Sequence, residues 1–201
     1  MKRIRIAPAV AISLIAACTA SFAAYAADET GTGDVPESAA PVIISETVTP
    51  EITAMYGVPL EADLQAAIID ICDEYKVDSA IVFAMMDVES DYDIYALGDS
   101  GDAYGIMQVQ RRYHYDRMAR LGCWDLYDPV QCVTVAADYL TELLDKYEGD
   151  MSMALTAYNR GSYGAQRDLF SKGVYESDYS REVLTIAQTL AEGVTTCVYP
   201  R

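Results

Sequence analysis

Histidine is almost missing: His114 is the only one in 201 residues. No Cys-x-x-Cys spacing occurs either, so the chain lacks the ligand sets of a zinc site, and we expect no metal and no cofactor. Positive charge is scarce too. Lys and Arg total 14 against 31 Asp and Glu, a net charge of −17. Such a chain repels nucleic acid and anionic membrane surfaces, which excludes both as partners. Its acidity suits solubility rather than attraction to a negatively charged surface. No internal repeat and no sustained apolar–polar alternation occur. Strands should therefore be few and the class all-α.

The first residues do not belong to the fold. Lys2, Arg3 and Arg5 precede an apolar stretch from Ile6 to Phe22, and Ala24-Tyr25-Ala26 offers a small-x-small cleavage site. This reads as a secretory signal peptide over 1–26, so the protein is expected outside the cytoplasm. Ile15-Ala16-Ala17-Cys18 also fits a lipoprotein processing site, which would leave Cys18 as a lipid anchor at the cell surface. Pro8 and several small residues weaken the stretch as a stable membrane span. Residues 27–55 carry Pro36, Pro41 and Pro50 among Gly, Ser, Thr and acidic side chains, and are expected to be a disordered linker. The folded domain is expected over 56–201, as a monomer. Four cysteines follow the signal segment, an even number that suggests two disulfides in an exported chain. From their separations we expect Cys123 with Cys132 and Cys72 with Cys197.

Helical periodicity organises the remainder of the chain. Leu60, Leu64, Ile68, Ile71 and Tyr75 recur at spacings of three and four. Asp78 should cap the next helix, and Asp150 one through Met153, Leu155 and Tyr158 that stops at Gly161. Tyr113 to Leu121 reads as a shorter helix. The longest stripe comes after Pro129: Val130, Val133, Ala137, Leu140, Leu144 and Tyr147. Tyr179, Val183, Ile186 and Leu190 mark the last helix, ended by Gly193. The Asp- and Gly-rich stretch from Asp91 to Gln108 allows at most a small irregular hairpin.

Glu89 is the residue with chemical promise. It ends the apolar run Ala80 to Ser90, and at helical spacing it shares a face with Val82 and Met85. Burial disfavours the charged form of a carboxyl group, and so does the negative end of a helix dipole. A carboxylic acid still protonated near neutral pH is what a general acid for glycosidic cleavage must be.

The ordered set around Glu89 is more specific than any one piece. Glu89-Ser90, Gly98-Asp99-Ser100-Gly101, Tyr104-Gly105-Ile106-Met107-Gln108, Ala157-Tyr158-Asn159-Arg160-Gly161, and Tyr179 with Val183 resemble the soluble lytic transglycosylase (SLT) domain. That family has the fold of goose-type lysozymes, and the resemblance runs roughly from Val58 to Leu190. It implies an exported enzyme that cleaves the β-1,4 bond between N-acetylmuramic acid and N-acetylglucosamine in peptidoglycan strands. It also implies that Glu89 acts first as acid and then as base, closing a 1,6-anhydro ring on the sugar. The same resemblance implies substrate contacts from Gln108, Tyr158, Asn159, Tyr179, Ser90, Gly105 and Met107.

The chain also departs from the family pattern. The loop Ala96 to Asp102 is one residue longer than the commonest form, so the family's substrate-touching serine cannot be laid on Ser100. Val109-Gln110-Arg111 stand where many members have an apolar residue, Met and Pro. Asp91, Asp93, Asp99 and Asp102 all lie near Glu89 in sequence, and any of them holding a water across the sugar would make the enzyme a goose-type lysozyme hydrolase instead. A catalytically silent glycan-binding or assembly protein is the remaining alternative.

Overall fold

The computed structural model describes residues 51–98 and 101–199. The expected signal segment, Cys18 and most of the expected linker lie outside the described residues, as do Asp99, Ser100 and the side chain of Cys197.

Seven α-helices dominate the described residues: α1 (Ala62–Tyr75), α2 (Ser79–Ser90), α3 (Arg111–Leu121), α4 (Pro129–Lys146), α5 (Met151–Arg160), α6 (Ser162–Asp168) and α7 (Asp178–Glu192). The expected all-α class holds. The expected caps also form. Asp78 accepts a hydrogen bond from the Ala80 N–H at 2.9 Å, and Asp150 accepts one from Met153 at 2.9 Å. Asp128 does the same for Val130 and Gln131 ahead of Pro129. Each such cap contributes about 1 kcal/mol. The cap of α7 is a reciprocal one: Ser177 and Ser180 each accept from the other's backbone N–H.

The small hairpin expected between Asp91 and Gln108 is a three-stranded sheet of two-residue strands: β2 (Leu97–Gly98), β3 (Ala103–Tyr104) and β4 (Val109–Gln110). Gly98, Ala103 and Gln110 form one cross-strand row. A second sheet was not expected. β1 (Glu51–Met55) pairs antiparallel with β5 (Thr195–Tyr199), Glu51 opposite Tyr199. Residues 51–55, read from sequence as the end of a linker, are therefore a strand. Its partner lies at the far end of the domain, so no local pattern announces it.

The helix α2 is the centre of the core. It packs on α7, while α1 packs on α4 and α4 on α5. Every residue from Ala80 to Met86 is buried, so the helix is apolar on all sides rather than along one stripe. Phe83, Met85 and Met86 are completely enclosed, each contributing about 1.5–3 kcal/mol through burial. From Asp87 to Ser90 the side chains are only half-buried. The last turn of α2 thus emerges from the core and carries Glu89 to its edge. Among the described residues no helix is long and apolar enough to cross a membrane.

The expected disulfides are corrected. Cys72, Cys123 and Cys132 are free, buried thiols. Cys123 directs its sulfur to the Leu121 carbonyl just after α3, whereas Cys132, in the first turn of α4, directs its own to the Tyr104 carbonyl. The two side chains are close in sequence and aimed at different neighbours, a geometry that spacing alone does not reveal.

A candidate glycan cleft at the end of the central helix

The site begins with how the last turn of α2 is anchored. Asp91, with φ 53°, ends the helix in the left-handed region, and the Tyr92 N–H reaches back to the Met86 carbonyl at 3.3 Å. Ser90 shares its hydroxyl proton between the Met86 carbonyl at 3.1 Å and the Ile106 carbonyl at 3.0 Å. This ties the helix end to the loop Gly105–Gln108. In that loop the Gln108 side-chain amide donates to the Gly105 carbonyl at 3.0 Å. Gly98 leaves the room for it: a Cβ there would stand 2.2 Å from Gln108 Oε1.

Glu89 faces a cleft of about 970 Å³. The Tyr179 hydroxyl donates to Glu89 Oε1 at 2.7 Å, joining residues 90 positions apart. The reciprocal cap at Ser177 starts α7 where it does and so puts Tyr179 in its first turn. Across the cleft, α5 presents Tyr158 and Asn159. Tyr158 sends its hydroxyl to the Met107 carbonyl at 3.0 Å. Burial, and next the negative charge of Glu89, pushes both tyrosine hydroxyls well above their ordinary pKa. Both remain protonated donors at any physiological pH.

The expected site residues sort into two groups. Glu89, Gln108, Tyr158 and Asn159 line the cleft, and Tyr179 stands in contact with Glu89. Ser90, Gly105 and Met107 do not line it. Ser90 is engaged with two carbonyls, Gly105 is buried against Leu126, and Met107 is 1% exposed and part of the core. Met107 acts through its carbonyl, as the acceptor for Tyr158. These three shape the site from behind.

Sequence reading missed the wall built by α3 and α4. The Tyr139 ring lies 5.5 Å from that of Tyr158, and the Arg117 guanidinium covers Tyr139 at 5.0 Å. Arg117 is held in turn by Asp138 and Glu142. His114 sets its ring against Tyr139 at 4.7 Å. Glu142 was a detectable cue, since it falls four residues after Asp138 on one helix face.

Two neighbouring groups are uncharged at neutral pH. Burial pushes the Cys132 thiol up to about 12, so it is not a thiolate. Burial, and then Arg117, lowers His114 from 6.5 to about 4. The folded protein therefore keeps His114 neutral while the unfolded chain takes up a proton below pH 6.5. Stability falls as pH drops from about 6.5 to about 4, with His114 contributing up to about 3 kcal/mol of the loss. The thermal midpoint of His114→Asn should lose less between pH 7 and pH 4.5 than that of the wild type. Equal losses would remove His114 from this account.

Among the described residues no three His, Cys, Asp or Glu side chains come together as metal ligands. The cleft sets the Glu89 carboxyl group and its tyrosine donor in a trough of aromatic, amide and arginine side chains, with Glu142 on its wall.

Comparison with known proteins agrees with this arrangement. The transglycosylase SLT domain model matches residues 66–179. The membrane-bound lytic murein transglycosylase C of Serratia proteamaculans is 30% identical over 125 residues, covering 55% of this chain and 33% of that protein. The corresponding protein of Edwardsiella ictaluri is 30% identical over 130 residues, covering 58% and 34%. The chain thus spans about a third of the length of these relatives. Among solved structures, an inactive mutant of the lytic transglycosylase Slt from Pseudomonas aeruginosa superposes with a TM-score of 0.54. It shares 20% identity, and the match covers 64% of this chain and 24% of that one, a similarity of fold.

Proposed function

The chain belongs to the transglycosylase SLT domain family, and from that premise we propose that it is a peptidoglycan lytic transglycosylase acting outside the cytoplasm. It cleaves the β-1,4 bond between N-acetylmuramic acid and N-acetylglucosamine without consuming water. Glu89 gives its proton to the glycosidic oxygen as the bond to C1 of the muramic acid breaks. The resulting carboxylate takes the proton of the same sugar's 6-hydroxyl, whose oxygen closes on C1 to form the 1,6-anhydro ring. Glu89 ends protonated, ready for the next cycle. Tyr158, Asn159 and Gln108 hold the sugars, and the fixed Tyr179 hydroxyl orients the carboxyl group.

The observation that carries this reading is the Tyr179–Glu89 hydrogen bond of 2.7 Å at the edge of the cleft. A protein that only binds glycan gains nothing from orienting an acid there. The disposition of the other acids favours the non-hydrolytic route. Asp93 accepts from the Tyr95 N–H, Asp102 pairs with Arg112, and neither lines the cleft. Asp91 serves as a left-handed helix terminus. Glu142 does line the cleft, but it is engaged by Arg117. Of these acids Asp93, Asp102 and Glu142 are engaged by other groups and Asp91 does not line the cleft, which counts against a water held as inverting hydrolysis requires, while Asp99 lies outside the described residues.

Mass spectrometry of products from purified cell wall tests the reading. Anhydromuramyl ends, one water lighter than reducing ends, are expected; reducing ends alone would make the enzyme a hydrolase, and no release would leave a binding protein. A smaller effect probes the orientation of the acid. Tyr179→Phe removes one hydrogen bond to an ionisable group, about 1.5–3 kcal/mol. We expect kcat to fall about 10- to 100-fold with KM nearly unchanged. A variant with wild-type kcat would show that Tyr179 is packing only.

A further inference from the structure

The cleft does not share the charge of the chain that forms it. Acids outnumber Lys and Arg by 31 to 14 in the sequence, yet four arginines line the cleft, Arg112, Arg117, Arg160 and Arg167, against two carboxylates, Glu89 and Glu142. Three of the four are committed to acids. Arg112 pairs with Asp102, Arg117 with Asp138 and Glu142, and Arg167 with Asp168. Arg160 makes no ion pair with any described residue, and Asp168 feels its charge only at longer range. It is exposed in the last turn of α5, next to Asn159.

Its surroundings are built rather than random. Gly161 turns the chain with φ 70°, and α6 then starts at Ser162. Tyr163 comes next, 77% exposed and lining the same cleft. The Arg167 guanidinium lies over its ring at 5.6 Å, and Asp168 holds that guanidinium with two hydrogen bonds. The α5–α6 wall therefore offers a guanidinium without a paired acid beside an exposed, supported aromatic ring. On a strongly acidic protein such a patch does little for solubility. It is the complement of a ligand that carries both an anion and a flat or apolar surface.

Resting on the function proposed above, we infer that Arg160, beside the Tyr163 ring that Arg167 supports, forms a carboxylate site for the peptide stem of the glycan strand. Peptidoglycan bears peptide stems on its muramic acid residues, and these end in carboxylates. A guanidinium fork matches a carboxylate in plane and can bind both of its oxygens. The Tyr163 ring suits the adjoining sugar or alanyl face. The substrate class is then narrower than glycan in general: strands whose stems keep free carboxylates, in preference to bare strands.

The test compares kcat/KM on three forms of one glycan preparation: stems intact, stems with carboxylates amidated, and stems removed by an amidase with the lactyl carboxylate that this frees then amidated too. Wild type should prefer intact stems about tenfold over both others, through KM rather than kcat. Arg160→Gln, at an exposed position without ion pairs, should reduce that ratio to about one. A wild type that cleaves all three forms equally overturns the carboxylate site and leaves the transglycosylase reading standing. A preference that survives Arg160→Gln, or that survives amidation, overturns it as well. Failure of the wild type to cleave any form would instead sink the proposed function itself.

Discussion

Glu89→Gln is expected to leave the fold intact and to lower glycan cleavage by about 10³- to 10⁴-fold. The amide keeps the size of the acid, and its carbonyl can still accept from the Tyr179 hydroxyl that lies 2.7 Å from Glu89 Oε1. The packing of α2 is decided between Ala80 and Met86, upstream of the substitution. The thermal midpoint should therefore stay within about 3 °C of wild type. What disappears is the transferable proton. General acid–base catalysis contributes about 10²–10⁴ in rate, and here one group serves both halves of the reaction, which favours the upper end. The variant should also retain affinity for glycan strands, since Tyr158, Asn159 and Gln108 are untouched. Muropeptide release and strand binding, measured side by side, check both statements. Retention of more than a tenth of wild-type turnover would mean that another group donates the proton.

How much of the fold is legible in the chain depends on the range of the interaction. The helices are readable because their apolar spacing and their Asp caps are local: Asp78 and Asp150 sit at the boundaries where they are expected. The seven-residue α6 is too short to show a period. The β1–β5 pair joins residues at least 140 positions apart, and no window along the chain contains both strands. Glu89 stands out in the sequence for lying on an apolar face. In the structure it lies where a helix buried on every side comes out of the core and lines the cleft, so a single apolar face describes its surroundings incompletely.

The site shows the same division. Glu89, Gln108, Tyr158 and Asn159 belong to motifs that keep their order along the chain, and they line the cleft. Ser90, Gly105 and Met107 belong to the same motifs yet support the cleft from behind, because a motif records position without recording which way a side chain points. Of the Arg117–Tyr139–Tyr158 stack only Tyr158 belongs to a motif. It is assembled from three helices, and Arg117 and Tyr139 each look like an ordinary surface or packing residue on their own. The cysteine pairing fails for a related reason. Cys123 and Cys132 are nine positions apart but aim at different carbonyls.

Gly105→Ala should be the most damaging single-methyl change in the domain, and Gly122→Ala is its control. Both glycines lie in the left-handed region, with φ 69° and 71°. An alanine at either position therefore carries a similar backbone strain, about 1–2 kcal/mol. Their surroundings differ completely. A Cβ on Gly122 meets nothing within 4 Å, whereas one on Gly105 would stand 2.0 Å from the Leu126 carbonyl oxygen and 3.2 Å from Cys132 Sγ. The obstacle is backbone, not the tip of a flexible side chain. Leu126 is itself locked in the core, and Cys132 lies in the first turn of α4. Neither can retreat cheaply in an interior packed as densely as a crystal. The methyl group would force the loop Gly105–Gln108 away from α4 and draw the Met107 carbonyl from Tyr158 and the Ile106 carbonyl from Ser90. We expect a loss of about 4 kcal/mol or more, against a total stability of about 5–15 kcal/mol. For a domain of this size that lowers the thermal midpoint by about 10 °C or leaves no folded protein to purify. Any folded fraction should lose activity out of proportion to its abundance, because the displaced loop carries one side of the cleft. Equal midpoints for the two alanine variants would show that the contact between Gly105 and Leu126 does not set the position of the loop.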